Sequence, residues 1–120
     1  MRVSLTKSFN FEAAHWLPTF PEEHKCRRLH GHSFQVDVVV EGDVAPEKGY
    51  LVDFGELKQV VEPVIDMLDH RLLNDIPGLE NPTSEMVAKW IWDQLVGQVP
   101  LLSEVHVRET CTSACGYRGD

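Results

Sequence analysis

Two long alternating segments are the sequence feature that most constrains the fold. From residue 2 to residue 14, apolar side chains such as Val3 and Leu5 alternate with polar ones. Residues 32 to 42 repeat the pattern, with Phe34 on the apolar parity. Because successive side chains of a strand point to opposite faces, both segments are predicted to be strands with one buried face. We expect them to pair as a hairpin with a long connection.

Two helices are predicted after the strands. Asp53 is expected to begin the first helix, with Glu56 three residues later in a capping-box arrangement. Pro63 lies inside the apolar pattern that follows and is expected to kink this helix. The second helix is predicted to start at Thr83 or Ser84, where a hydroxyl can cap the first turn. Both helices carry apolar residues at helical spacing on one side.

The order of the predicted elements defines the fold class. Alternation returns in residues 104 to 109, and a short last strand is predicted near residues 113 to 118. The order ββααββ predicts an α+β domain, in which a four-stranded antiparallel sheet carries both helices packed on one face. The 120 residues suit a single domain, residues 1–120. Sheet edges left free in such a domain favour association with other subunits.

Charge and cysteine content narrow the classes of function. The formal net charge is −8, which argues against nucleic-acid or membrane-surface partners, since both require a basic face. Three cysteines are too few for a disulfide framework, and the first residues lack the apolar block of a signal peptide. These features favour a reducing, cytoplasmic setting. A small-molecule substrate is the class of partner that remains.

Three histidines are placed to share one metal ion. His30 and His32 are two residues apart and have the parity of Phe34, so both rings extend the inward face of the second strand. His15 extends the inward face of the first strand. Three imidazoles with one open position describe a catalytic zinc site, whereas a closed structural site needs a fourth protein ligand. Cys26 is a candidate fourth ligand, and a lone inward histidine is more often a hydrogen-bonded core residue.

A thiol and a carboxylate–imidazole pair are candidates for proton transfer. Cys26 lies between Lys25 and Arg27, whose charges favour the thiolate. The alternative is a solvated loop in which the cysteine has no role. Asp69 can orient His70, although a histidine at a helix C-terminus also complements the helix dipole. Together the thiol, the carboxylate and the imidazole could form a proton-transfer set.

A carboxylate is predicted on the inward face near the end of the chain. Glu109 has the parity of Val107 and therefore points inward, where it needs a partner or a ligand. A planar heterocycle with adjacent N–H donors fits this requirement, and so does an arginine such as Arg118. Cys111 and Cys115 are interpreted as ordinary core or interface thiols.

The chain as a whole resembles the 6-pyruvoyltetrahydropterin synthase family. The resemblance runs in order over nearly the whole chain, through the segments FEAAHWLP, HKCRRLHGHSF, VDFGELK, LDHRLLND, NPTSEMVAKWIW and VRETCTSACGYRG. Three residues separate Cys26 from the HGH motif. This short interval resembles the bacterial branch that forms 6-carboxy-5,6,7,8-tetrahydropterin in queuosine biosynthesis, as do NPTSE and CTSAC.

The resemblance implies a role for each candidate residue. The zinc ligands would be His15, His30 and His32. The catalytic residues would be Cys26 as general base, with Asp69 and His70 in proton transfer. The pterin would be bound by Glu109, which anchors the ring, and by Thr83, Ser84 and Glu85, which line the same pocket. Apart from the resemblance, we expect Lys25, Arg27 and Arg28 to meet the triphosphate, because they form a local cationic cluster on an acidic protein.

The resemblance also implies a fold, an assembly and a reaction. The fold would be the tunnelling fold, assembled as trimers and then as a homohexamer with active sites between subunits. The substrate would be 7,8-dihydroneopterin triphosphate, and the products 6-carboxy-5,6,7,8-tetrahydropterin, acetaldehyde and triphosphate. A family alternative eliminates triphosphate without breaking a C–C bond. Alternatives of other classes are a metal-independent thiol hydrolase and a non-catalytic pterin- or metal-binding module.

Overall fold

A long antiparallel hairpin forms the centre of the structure, a computed structural model that describes all residues from Met1 to Asp120. The strands of the sheet are β1 (Arg2–His15), β2 (His30–Asp43), β3 (Arg71–Leu72), β4 (Leu102–Thr110) and β5 (Ser113–Tyr117). The helices are α1 (Phe54–Asp66) and α2 (Ser84–Leu95). Short 3-10 turns occur at Lys25–Arg27 and Leu73–Asp75.

The register of the hairpin confirms the predicted pairing of the two alternating segments. β1 and β2 pair from Arg2 opposite Asp43 to His15 opposite His30. β4 joins the other edge of β2, and β5 folds back on β4, both antiparallel. The sheet order is β3-β1-β2-β4-β5. The hairpin therefore carries all three candidate metal ligands, His15, His30 and His32, to one end of the sheet.

The sheet has five strands, so the prediction of four antiparallel strands was incomplete. The additional strand, β3, has two residues and runs parallel to β1, with Ala13 opposite Arg71. A two-residue strand is too short to show alternation, and so the sequence pattern did not reveal it. It follows His70, whose φ of 59° lies in the left-handed region that marks a sharp change of chain direction. The α+β class and the placement of both helices on one face are confirmed.

The core lies between the inward face of the sheet and the two helices. Phe11 and Phe34 are stacked at a ring-centroid distance of 4.7 Å and are almost fully buried. Val61 of α1 and Ile91 of α2 belong to the same buried cluster. The opposite face of the sheet is polar, and there Ser8 Oγ donates a hydrogen bond of 2.6 Å to Asp37. One face of the hairpin is thus fixed by packing, which also fixes the side on which its terminal histidines point.

Both helices begin at the residues that the sequence indicated. Asp53 caps α1 and accepts a hydrogen bond of 2.8 Å from the backbone N–H of Gly55. Thr83 caps α2, and its hydroxyl accepts from the N–H of Met86 at 3.2 Å. Pro63 lies inside α1, and the helix continues beyond it to Asp66. Neither helix has the length and apolar character that a transmembrane helix requires.

Candidate metal centre and active site

Three histidine rings converge where the central hairpin opens into its long connection. His15 ends β1, His30 begins β2 opposite it, and His32 pairs with Ala13 two residues further along. Their ring centroids are 4.6 to 5.1 Å apart. One potential ligand atom from each ring lies within 4.8 Å of the other two. A single metal ion can therefore contact all three, as the parity of the strands predicted.

His15 has a buried nitrogen that lacks a partner in the protein. Its Nδ1 donates to the carbonyl of Pro82 at 2.9 Å, which leaves Nε2 as the acceptor. This Nε2 is buried and makes no hydrogen bond. Burial lowers the pKa of His15 and so favours the neutral ring, the form that binds metals. A buried acceptor without a partner needs an explanation, and a metal ion held by the neighbouring imidazoles provides one.

His30 is oriented in the same way as His15. Its Nδ1 donates to the carbonyl of Arg28 at 2.6 Å, so its Nε2 is also free. A hydrogen bond from the ring nitrogen that does not bind the metal is the usual way in which a protein orients a metal-binding imidazole. Below the rings, Phe34 makes edge contacts with His15 and His32 at 5.6 and 5.5 Å. Three nitrogen ligands held in place by these contacts suit a transition metal rather than magnesium or calcium.

Cys26 lies on the 3-10 turn in the connection between β1 and β2 and is partly buried. Its backbone carbonyl accepts from the N–H of Leu17 at 2.8 Å. Its backbone N–H donates to Nδ1 of His24 at 3.0 Å. The ligand atoms that lie within 4.8 Å of one another come from the three histidines alone, so Cys26 is not placed with them as a fourth ligand.

The basic side chains around Cys26 are not equivalent. Lys25 and Arg28 are exposed and make no hydrogen bond through their side chains to other residues. Arg27 is half-buried and donates to the carbonyl of Phe20 at 3.0 Å. Its guanidinium also lies 5.9 Å from the ring centroid of Trp16. Two of the three predicted triphosphate contacts are thus free in the chain, while Arg27 supports the loop.

Asp69 and His70 form the contact that their adjacency allowed. The carboxylate of Asp69 lies 2.9 Å from Nδ1 of His70 and also accepts from the backbone N–H of Glu12 at 2.9 Å. The hydrogen bond from Glu12, and after it the bond from His70, lowers the pKa of Asp69. The backbone N–H of His70 donates to the carbonyl of Glu12 at 2.6 Å. The pair is therefore fixed against the edge of β1.

The chain does not bring Cys26 together with this pair. No hydrogen bond or ion pair joins the thiol to Asp69 or His70, whereas those two residues contact each other. The side chain of His70 is 78% exposed, so its ring faces outward from the chain. Within one chain the predicted proton-transfer set is therefore present as two separate parts.

Glu109 lies beside the histidines and has no arginine partner. Its Oε2 is 4.0 Å from Nε2 of His32. Arg118, the partner that the sequence left open, instead pairs with Glu104 at 2.8 Å. A carboxylate that is mostly enclosed and lacks a cationic partner is available for a ligand.

A cavity of about 400 Å³ adjoins Glu109. Ser84 and Glu85 line it, as expected, but Thr83 does not, because its hydroxyl caps α2. Cys115 of β5 also lines this cavity, and burial raises the pKa of its thiol. Its packing against the core agrees with the interpretation of Cys115 as a core or interface thiol, but its position in the cavity wall was not predicted. In the sequence, only the short turn between β4 and β5, which folds Cys115 back beside Glu109, indicated that Cys115 lies next to the cavity.

The fold and the site together define a class of protein. It is a small α+β protein of the tunnelling-fold type, with a cluster of three histidines that could hold a metal ion beside a carboxylate-lined cavity. The sequence model of the 6-pyruvoyl tetrahydropterin synthase family matches residues 4–120. The chain belongs to this family.

Similar proteins agree with this assignment. A 6-carboxy-5,6,7,8-tetrahydropterin synthase of Synechocystis is 50% identical over 117 residues, covering 92% of this chain and 89% of that protein. A dihydroneopterin monophosphate aldolase of Pyrococcus furiosus is 40% identical, covering 83% of this chain and 81% of that protein. The structure of Caenorhabditis elegans 6-pyruvoyl tetrahydropterin synthase superposes with a TM-score of 0.91 at 29% identity, covering 100% of this chain and 97% of that one.

Proposed function

We propose that this protein is a zinc-dependent carbon–carbon lyase that converts 7,8-dihydroneopterin triphosphate into 6-carboxy-5,6,7,8-tetrahydropterin, acetaldehyde and triphosphate. The observation that carries the proposal is the cluster of His15, His30 and His32, with its unpartnered buried nitrogen, beside the free carboxylate of Glu109. The names of the relatives from Synechocystis and from Bacillus subtilis, the latter 37% identical, support the carboxy-forming reaction.

Zinc is the metal that the donor set fits best. Neutral imidazoles are common zinc ligands, and three of them leave a fourth position for substrate. A zinc ion held by these three rings would supply Lewis-acid chemistry, polarising the oxygens of the substrate side chain and acidifying the neighbouring protons. The protein's part is to orient the rings of His15 and His30 through hydrogen bonds to the carbonyls of Pro82 and Arg28.

Glu109 binds and orients the pterin ring. Its carboxylate accepts hydrogen bonds from adjacent N–H groups of the heterocycle, which satisfies a group that has no arginine in the protein. Ser84 and Glu85 line the same cavity and supply further polar contacts. Thr83 acts indirectly, because its cap fixes the start of α2 at the wall of the cavity.

The protein moves protons through the thiol and the imidazole. Cys26 removes a carbon-bound proton as the general base. His70 returns a proton at another position and is held by Asp69, whose lowered pKa keeps the carboxylate charged. Lys25 and Arg28 are exposed and free to meet the triphosphate, and Arg27 adds positive charge from its fixed position.

The active site is completed by assembly into a homohexamer, a dimer of trimers. Except where β3 pairs at Ala13 and Ala14, the outer edge of β1 is unpaired within the chain, and β5 forms the other edge of the sheet. Unpaired edges of this kind pair readily with other chains. Because Cys26 and the pair Asp69–His70 do not meet within one chain, we propose that the thiol of one subunit works with the exposed His70 of another.

The proposed reaction belongs to queuosine and 7-deazapurine biosynthesis, and a catalytic cysteine favours the reducing cytoplasm as its location. The cysteines Cys26, Cys111 and Cys115 are all free, as this setting requires.

Product identification tests the proposed function directly. Zinc-loaded protein incubated with 7,8-dihydroneopterin triphosphate is expected to form 6-carboxy-5,6,7,8-tetrahydropterin, acetaldehyde and triphosphate, identified by mass. The control is protein that has been stripped of metal by chelation, which is expected to be inactive.

Other products would contradict the proposal in identifiable ways. Triphosphate release with an intact carbon side chain would indicate the pyruvoyl-forming reaction. A released carbon fragment that retains phosphate would indicate an aldolase. Activity that survives chelation would indicate a thiol hydrolase, and the absence of any turnover would indicate a binding module.

A further inference from the structure

His24 contacts the backbone of the proposed base but has no part in the reaction described above. It precedes the 3-10 turn Lys25–Arg27 and has an extended backbone, with φ −74° and ψ 137°. Its Nδ1 accepts a hydrogen bond of 3.0 Å from the backbone N–H of Cys26. This is the geometry of a helix N-cap, in which a side-chain acceptor binds an N–H group of the first turn.

We propose that His24 is a positioning residue for Cys26. Its neutral ring caps the short turn, fixes the orientation of the Cys26 backbone and thereby directs the thiol. The kinetic consequence rests on the proposed function, in which Cys26 is the base, but the structural role does not depend on it.

The backbone of Cys26 is held on both sides. Its carbonyl is held by Leu17 at 2.8 Å, and its N–H is held by the ring of His24. The turn itself is closed by the N–H groups of Arg27 and Arg28, which bond to His24 and Lys25 at 3.0 and 3.1 Å. A single 3-10 turn has few bonds and weak hydrogen-bond geometry. The His24 contact is therefore a large share of what keeps this turn formed.

The ring of His24 is itself held in place. Its backbone N–H donates to the carbonyl of Pro21 at 2.9 Å. Its ring lies 4.6 Å from the ring of Phe20, with an interplanar angle of 33°. Phe20 also contacts the 3-10 turn, because its carbonyl accepts a hydrogen bond from the side chain of Arg27. These contacts connect Phe20, His24 and the 3-10 turn that contains Cys26.

The capping acceptor at this position is uncharged, a property that asparagine or serine would share but aspartate would not. An accepting Nδ1 requires the neutral ring with its proton on Nε2. An aspartate would cap equally well, but its negative charge two residues from Cys26 would disfavour the thiolate. The neutral ring caps the turn and leaves the positive field of Lys25 and Arg27 intact.

The test compares His24→Ala, which removes the cap, with His24→Asn, which keeps a neutral acceptor at the same position. In the assembled, zinc-loaded protein, we expect the alanine variant to lower kcat about tenfold and to leave KM unchanged, because a lost cap weakens the turn but not the pterin cavity. The amide of Cys26 should exchange with deuterium about tenfold faster, since its acceptor is gone. His24→Asn should restore both values to within about twofold of the wild type.

Two results would overturn the proposal. If the Cys26 amide of His24→Ala exchanges at the wild-type rate and the variant keeps the wild-type kcat, the contact does not hold the turn. An asparagine variant as impaired as the alanine variant would show that the imidazole acts by its own chemistry. If His24→Ala does not fold, His24→Asn decides alone, since only a capping role predicts near wild-type exchange and kcat for it. Hydrogen exchange needs no turnover, so failure of the proposed function would leave this test intact.

Discussion

His32→Ala is expected to remove bound zinc and to lower turnover by at least about a hundredfold. His32 supplies one of the three nitrogens that approach within 4.8 Å of one another, and no side chain nearby replaces it. Glu109 Oε2 lies 4.0 Å from Nε2 of His32, but in the proposed function this carboxylate binds the pterin. The measurement is the zinc content per chain after dialysis, by elemental analysis, together with the initial rate.

His106→Ala is the matched control for this variant. His106 lies in β4 with a side-chain exposure of 28%, close to the 23% of His32, but it faces Asp37 rather than the metal-binding cluster. The control should keep its full zinc content and activity. A full zinc content in His32→Ala would contradict the ligand assignment.

Two inactive variants are expected to restore activity when they assemble together. Alone, Cys26→Ala should keep its fold and zinc but lose turnover by about 10²- to 10⁴-fold, the usual contribution of a general base. His70→Ala should behave in the same way. If the thiol of one subunit works with the imidazole of another, random mixing in equal amounts should restore about one quarter of the sites, since each needs one intact residue from each of two chains.

The mixing experiment uses co-expression with two different affinity tags, so that only mixed assemblies are purified and assayed. The control replaces His70→Ala with the double variant Cys26→Ala/His70→Ala, which leaves no intact thiol and should restore nothing. Recovery only in the first mixture would support a site between subunits. No recovery in either mixture would place the whole proton-transfer set within one chain and contradict the proposed assembly of the site.

The hairpin and the position of its histidines could be predicted because both depend on a local pattern. Alternation fixes which side chains of a strand share a face, so the parity of His15 and His32 was sufficient to place them together once β1 and β2 paired. The helix starts at Asp53 and Thr83 were predictable for a similar reason, since a cap bonds only to residues two or three positions away.

Features that depend on contacts between distant segments could not be predicted. Parity placed Glu109 on the inward face but left its partner open, and the structure resolves this because Arg118 bonds to Glu104. The strand β3 exists only because Arg71 and Leu72 meet β1. The separation of Cys26 from His70 likewise follows from the path of the whole chain. The cap on Cys26 was local but unrecognised, because histidine is not among the residues that usually signal a helix start.

X-ray absorption of the zinc-loaded protein at the zinc edge tests the central claim most directly. Coordination by His15, His30 and His32 predicts three imidazole nitrogens at about 2.0–2.1 Å, with an oxygen from water or substrate in the remaining position. A sulfur at about 2.3 Å, the distance of a zinc–thiolate bond, would contradict the account, because it would make Cys26 a ligand that closes the site.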